Sequence, residues 1–188
     1  MKNEIIVLDI ETTGFNERED LILELGIVKL NTETGEITEL FDEVFKSPKL
    51  KEKHKKAWIF VNGYMNPNEL KDAKPFSEYK DEIQAILDPF KGYITAWNRD
   101  FDSKFLRANG VTLGDSPGCP MKVSTNHFKI KKPRGNGYKW ATAQEAWDRM
   151  FPKVKKIEEH RGLDDSIMEA KIIYNLIQEG VYTPFSKL

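Results

Sequence analysis

The sequence has little of what would place it in an oxidising compartment or a membrane. Its one cysteine, Cys119, has no partner for an internal disulfide, and no cysteine cluster is present to hold zinc. Long apolar runs are missing too. The first such run, IIVL at residues 5–8, follows only Lys2, too short for the core of a signal peptide and far too short to span a bilayer. A cytoplasmic protein with no membrane role is expected. Charge of either sign is not in excess: the net charge is −1 with the three histidines neutral, which does not advertise a polyanion-binding protein. Repeats, low-complexity tracts and linker-like stretches are lacking as well.

What is present is an ordinary globular composition, 39% hydrophobic and 31% charged, in a chain of 188 residues. That length suits one domain over 1–188 whose core needs neither disulfide nor structural metal. Three early segments read as sequential antiparallel strands: IIVLDIE from residue 5, LILELGIVKL from residue 21 and EITELFDEVFK from residue 36. The period then changes. Phe76, Tyr79, Ile83, Ile86 and Leu87 recur at helical spacing, GYITAW reads as a short buried strand, and Phe101, Phe105 and Ala108 mark a second helix ending at Gly110. PMKVS, from residue 120, suggests one more strand. Thr142 and Glu145 form a capping box for a helix stopped by Pro152, and Leu163, Ile167, Ala170, Tyr174 and Ile177 stripe a last helix. The sum is an α/β fold, a mixed five-stranded sheet flanked by helices.

Chemistry is suggested where acids stand at the ends of these elements. Side chains alternate along a strand, so Asp9 and Glu11 in DIETTG share a face, and TTG after them makes a tight turn with backbone N–H groups available. Taken alone, such a pair is also what an exposed strand end looks like. Asp102, in WNRDFDSKF, opens a helix after a buried strand, where an acid also serves the helix dipole. His160 leads into the last helix and Asp165 falls in its first turn. Asp164 reads as a helix-start residue. Element ends of this kind can converge on one sheet edge. Four carboxylates brought together repel unless divalent cations neutralise them, and hard oxygen ligands suit Mg²⁺ or Mn²⁺.

Three motifs together, DIETTG, NRDFD and HRGLDD, resemble the signature of the DEDDh family of 3′-to-5′ exonucleases, DnaQ-like enzymes that include proofreading subunits of bacterial replicative polymerases. The likeness runs from residue 5 to about residue 177 and implies a ribonuclease H-like fold. By position it implies that Asp9 bridges two metal ions and that Glu11 and Asp165 complete the first site. Asp102 would help hold the second, and His160 would be the general base. Two metals ~4 Å apart can activate a water and stabilise a leaving 3′ oxygen. An imidazole of pKa ~6.5 can take a proton near neutral pH. His54 and His127 lack an Asp at the motif's spacing and lie in basic surroundings, where phosphate contact or solvation is expected.

The resemblance also assigns substrate contacts. Thr12 and Thr13 would approach the terminal 3′ hydroxyl, and Phe15 would wedge against the last bases or else pack in the core beside the turn. Val61 and Asn62 stand where the family often has an apolar residue and a His; Asn keeps hydrogen bonding but loses the ionisable group, which leaves the sugar preference open. Trp58 and Trp97 read as core residues. The lysines of positions 46–56 and the basic loop 129–139, above all Lys129, Lys131, Lys132 and Arg134, could steer a nucleic-acid backbone or simply be solvated.

The implied activity is release of nucleoside 5′-monophosphates from single-stranded or frayed DNA 3′ ends, with RNA end trimming as the alternative. A noncatalytic binding module should have lost a ligand or His160, and none is missing. The implied partners are nucleic-acid 3′ ends, a second copy of the chain and a polymerase. Only GVYTPFSKL follows the last helix, so a stand-alone enzyme is expected; no apolar face beyond the core's needs announces a dimer.

Overall fold

The computed structural model describes residues 3–115 and 117–185. Its central strand, β1 (Glu4–Thr12), sends alternate side chains into two different cores. Ile5 and Val7 enter one, while Ile6, Leu8 and Ile10 enter the other. Each buried aliphatic side chain contributes roughly 1.5–3 kcal/mol. The alternation therefore fixes the register of β1, since a slip of one residue would exchange its faces.

β2 (Ile22–Asn31) and β3 (Ile37–Val44) continue the sheet, and the short β4 (Ile94–Thr95) completes the order β3-β2-β1-β4. β1 is antiparallel to β2 and parallel to β4, and β2 is antiparallel to β3, so the expected order of the first three strands holds. The helices are α1 (Trp58–Val61), α2 (Phe76–Leu87), α3 (Arg99–Ala108), α4 (Pro120–Val123), α5 (Thr125–Phe128), α6 (Ala143–Met150) and α7 (Gly162–Gln178). Residues of α6 and α7 cover the Ile5 face, and residues of α2 and α3 cover the Ile6 face. A third cluster, with Leu23, Ile59, Met65 and Leu70, ties α1 to the sheet. The capping box of Thr142 and Glu145 is formed as expected, and Gly110, at φ +83°, ends α3.

The expected fifth strand is not formed: the sheet of the described residues has four strands, and residues 120–123 are helical. Pro120 occupies the first turn of α4, where its fixed φ favours a helix start. Ser124 Oγ donates to the Pro120 carbonyl at 2.7 Å, and only the Met121 N–H reaches across to Trp97 O, at 3.3 Å. A single bond makes no ladder.

One contact sets the position of everything that follows. Gly26 of β2 and Gly162 of α7 meet backbone to backbone; a Cβ on Gly26 would lie 2.2 Å from Gly162, and one on Gly162 would lie 2.6 Å from the Gly26 nitrogen and 3.3 Å from the Asp9 carbonyl. Paired glycines let the start of α7 descend onto the sheet beside Asp9. No helix among the described residues is long and apolar enough to cross a membrane.

Candidate active site

Asp9 and Glu11 continue the face of β1 that Ile5 and Val7 begin, so both point toward α7. The close approach of Gly162 places Asp165 there, in the first turn of that helix. Asp102 arrives from the first turn of α3 and is 3% exposed. Ligand atoms of Glu11, His160 and Asp165 all lie within 4.8 Å of one another, an arrangement able to hold a metal ion. Asp102 Oδ1 is buried without a hydrogen-bond partner among the described residues. Such an acceptor costs stability unless something positive meets it. The carboxylates of this set match a hard divalent cation.

Electrostatics point the same way. Burial raises the Asp9 carboxyl well above its usual range, with Glu169, Glu11, Asp102 and Asp165 adding repulsion. Burial, then Asp165 and Glu24, pushes Glu11 up to about 8. Burial lifts Asp102 to about 7, opposed by backbone N–H groups of its own residue and Ile10. Asp165 is raised to about 6 by burial and by Glu158. Coherent upward shifts in one cleft describe a cluster short of positive charge.

Three acids near the site, Glu169, Glu24 and Glu158, are not marked by the motifs, and Glu158 adds repulsion at Glu11 and Asp165. Glu169 is buried, accepts the Trp97 N–H at 2.9 Å, and is raised well above its usual range by burial and then by Asp102. Its spacing of four from Asp165 on one helix face is the signal that could have found it. Glu24 lies opposite Glu11 in the β1–β2 register and is held by Arg161, whose Nε approaches its two oxygens at 3.2 and 2.9 Å. Desolvation outweighs that guanidinium, and the Glu24 carboxyl is still raised.

Arg161 also anchors the loop that carries His160, through Nη1 to Glu69 at 3.2 Å. Asp165 fastens the same loop, accepting the N–H groups of Glu159 at 3.1 Å and Arg161 at 3.2 Å. His160 itself has φ +54°, a left-handed conformation that a non-glycine residue adopts at a cost. Its ring sits edge-on to Trp58, at 4.7 Å, and to Tyr64, at 4.3 Å, and those two rings stack on each other at 4.8 Å. Burial lowers the His160 pKa, with Asp165 opposing, so the imidazole is neutral at neutral pH. Trp97 is a core residue as expected, its Nε1–H donating to Ala141 O. Trp58 is not: it is 56% exposed and walls the site, because the single turn of α1 gives its inward side to Ile59.

The remaining sequence candidates are dispersed around this centre. Thr12 Oγ1 donates to Gly14 O at 2.7 Å; Thr13 Oγ1 donates to Asp20 and accepts the Leu21 N–H, while its own N–H bonds Leu21 O. Phe15 is 84% exposed, so it is not a core residue, and its ring meets the edge of Phe101. Val61 is 70% exposed, and Asn62 is turned back, Nδ2 donating to Trp58 O at 2.9 Å. His54 departs from the expected solvation: it is buried, Nδ1 accepting the Lys51 N–H and Nε2 facing Glu19 O, which clips residues 51–54 to the 16–20 turn. His127 faces Glu179 at 3.1 Å, and Asp164 is exposed.

Residues 6–173 match the model of the exonuclease family, RNase_T. The chain is 26% identical over 184 residues to DNA polymerase III PolC-type of Caldanaerobacter subterraneus subsp. tengcongensis, covering 95% of this chain and 12% of that protein. It is 31% identical over 130 residues to DNA polymerase III PolC-type of Clostridium perfringens, covering 63% of this chain and 8% of that one. The chain thus spans 12% or less of the length of these curated relatives. Among solved structures it is similar to the nuclease domain of 3′hExo, a DEDDh family member, bound to rAMP. That likeness has a TM-score of 0.70 at 19% identity and covers 99% of this chain and 98% of the other. A full-length 3′-exonuclease matches with a TM-score of 0.67 at 18% identity, over 96% and 84% of the two chains. The mixed sheet and its flanking helices are those of ribonuclease H-like exonucleases, and the DEDDh resemblance read from the three motifs holds.

Proposed function

This chain is an enzyme of the exonuclease family, and we propose that it removes nucleoside 5′-monophosphates stepwise from the 3′ ends of single-stranded or frayed DNA. The observation that carries this reading is the convergence of Glu11, Asp165 and His160, with Asp9 and Asp102 close enough to add to the mutual repulsion and Asp102 Oδ1 buried without a hydrogen-bond partner among the described residues. Asp9, Glu11, Asp102 and Asp165 would hold the divalent ions, Mg²⁺ or Mn²⁺. When bound, such ions supply charge to activate a water and to stabilise the departing 3′ oxygen. The protein's own groups do the rest. A neutral His160 accepts a proton from the attacking water, which its lowered pKa permits at pH 7. Thr12, Thr13, Phe15, Val61 and Asn62 border the place where a terminal nucleotide would lie.

DNA is favoured by the polymerase relatives, which carry DNA polymerase in their names; the rAMP bound to 3′hExo supports RNA trimming as the second reading. A polymerase is the protein partner worth testing by co-purification. Cys119 is a free buried thiol, in keeping with a cytoplasmic setting. The test uses end-labelled DNA and RNA of matched sequence, with Mg²⁺ or chelator. Stepwise 3′ shortening that needs metal and Asp9 is expected, and the faster substrate assigns the sugar. Tight binding of both strands without shortening of either would sink the reading.

A further inference from the structure

Outside the carboxylate site, the turn 16–22, the loop 46–54, the first turn of α2 and the end of α3 enclose a cleft of about 850 Å³. Its charge is unlike that of the molecule as a whole. Lys46, Lys49, Lys51 and Lys80 line it and have no carboxylate partner among the described residues. The acids that line it are occupied: Glu17 by Lys104 at 3.6 Å, Glu19 by Lys53 at 3.6 Å, and Asp20 by the Asn16 N–H and the Thr13 hydroxyl. The lining thus carries six cationic side chains, Arg18, Lys46, Lys49, Lys51, Lys53 and Lys80, against three acids, in a chain of net charge −1. The buried His54 gives the lysine loop a fixed shape by tying it to the Glu19 carbonyl at 3.2 Å.

The cleft and the catalytic floor share two elements of the fold. Ala108 and Asn109 line it at one end of α3, and Asp102 stands seven residues from Asn109 on the same segment, about 10 Å along a helix. Leu21 and Ile22 line it as well, and Ile22 pairs with Thr12 beside the floor. At about 3.4 Å per stacked nucleotide, 10 Å corresponds to about three nucleotides. The volume exceeds what one small anion fills, and Pro48, Pro75 and Phe76 add apolar surface suited to sugars and bases.

We propose that this lysine cleft holds the phosphodiester backbone of the substrate strand from about the third nucleotide upstream of the 3′ terminus. The proposal rests on the exonuclease reading for its choice of a nucleic acid over an acidic protein. It makes the enzyme length-sensitive, because oligonucleotides of three residues end short of the cleft while longer strands enter it.

The test compares wild type with the triple variant Lys46→Glu, Lys49→Glu, Lys51→Glu, and with the corresponding Gln triple, which removes charge without adding repulsion. A fluorescent 16-nucleotide DNA is titrated by anisotropy in chelator, and trimming of a 3-nucleotide DNA is followed with Mg²⁺. The expected result is a loss of tenfold or more in 16-mer affinity. The salt slope should be shallower by about 2, near 0.7 per lost lysine contact on single strands. Trimming of the 3-mer should stay within twofold of wild type. A 16-mer affinity within twofold of wild type with an unchanged slope overturns the cleft, as does a parallel fall in 3-mer trimming. Failure of wild type to trim the 16-mer as well as the 3-mer overturns the exonuclease reading instead, and the anisotropy arm still decides the cleft.

Discussion

On the floor of the site, Asp9, Glu11, Asp102 and Asp165 stand on regular elements where burial raises every carboxyl and like charges add to it at Asp9, Glu11 and Asp165, whereas on its wall Trp58 and Tyr64 come from a four-residue helix and the turn after it. Floor groups are held against their preference by packing around them. Wall groups, 56% and 37% exposed, are held by one another and by His160. The difference teaches where the molecule spends stability. Charges assembled without compensation weaken the folded state, and stacked rings on a short helix strengthen it only slightly. Substitutions on the two sides should therefore separate stability from turnover in opposite senses.

Asp9→Asn should give the largest effect, a loss of trimming on the order of 10³-fold or more, since its partners act as a unit. In chelator at pH 8 the same change should raise the thermal midpoint by about 2–6 °C, because one crowded acid is gone. Scanning calorimetry beside an end-labelled assay checks both, and a midpoint that falls with activity would erase the contrast. Gly162→Ala comes next. Its new methyl group would meet the Gly26 nitrogen at 2.6 Å, so α7 must lift from the sheet and carry Asp165 away. Destabilisation of about 1–3 kcal/mol is expected. Trimming should drop at least 100-fold, measured on protein shown to be folded; unlike Asp9→Asn, this variant should lose both properties.

On the wall, Trp58→Leu and Tyr64→Leu should each lower turnover about tenfold, because the imidazole loses the rings that hold it. The midpoint should move by no more than about 3 °C, since such pairs are worth ~0.5–1.5 kcal/mol. Tyr64→Phe should restore turnover. In the metal-free protein the His160 ring protons should shift in NMR when either ring is removed, a signature that loss of general stability would not produce.

Period placed the floor's acids at element ends, two apart along β1 for Asp9 and Glu11 and in a first helical turn for Asp102 and Asp165, but each alone also suited a structural role, and only the three motifs together, through their resemblance to a family, joined them into one site. Glu169 obeys the same logic at four residues from Asp165 and could have been found by it. The wall was not legible. Trp58 and His160 are about a hundred residues apart, in segments with no period to read, and only the third core cluster around Ile59 brings α1 alongside. The fifth strand failed for a local reason, since PMKVS is apolar enough for a strand but begins with a proline placed to start a helix. The glycine contact between Gly26 and Gly162 needed the tertiary structure, although both residues stand in segments read correctly as strand and helix.

The central claim, that the floor stores a repulsion which divalent cations relieve, is tested most directly by thermal unfolding across pH 5–8 in chelator and in saturating Mg²⁺. The sign follows from the shifts. Glu11, Asp102 and Asp165 have folded-state values of about 8, 7 and 6, above the roughly 4 of unfolded carboxyls, so the folded protein holds more protons in this window. Their contribution is complete below about pH 4 and is lost as pH rises toward 8. In chelator the midpoint should therefore fall by several degrees from pH 5 to pH 8, and Mg²⁺ should raise it most at pH 8, cancelling the fall. A midpoint flat with pH in chelator and unmoved by Mg²⁺ or Mn²⁺ would contradict the account.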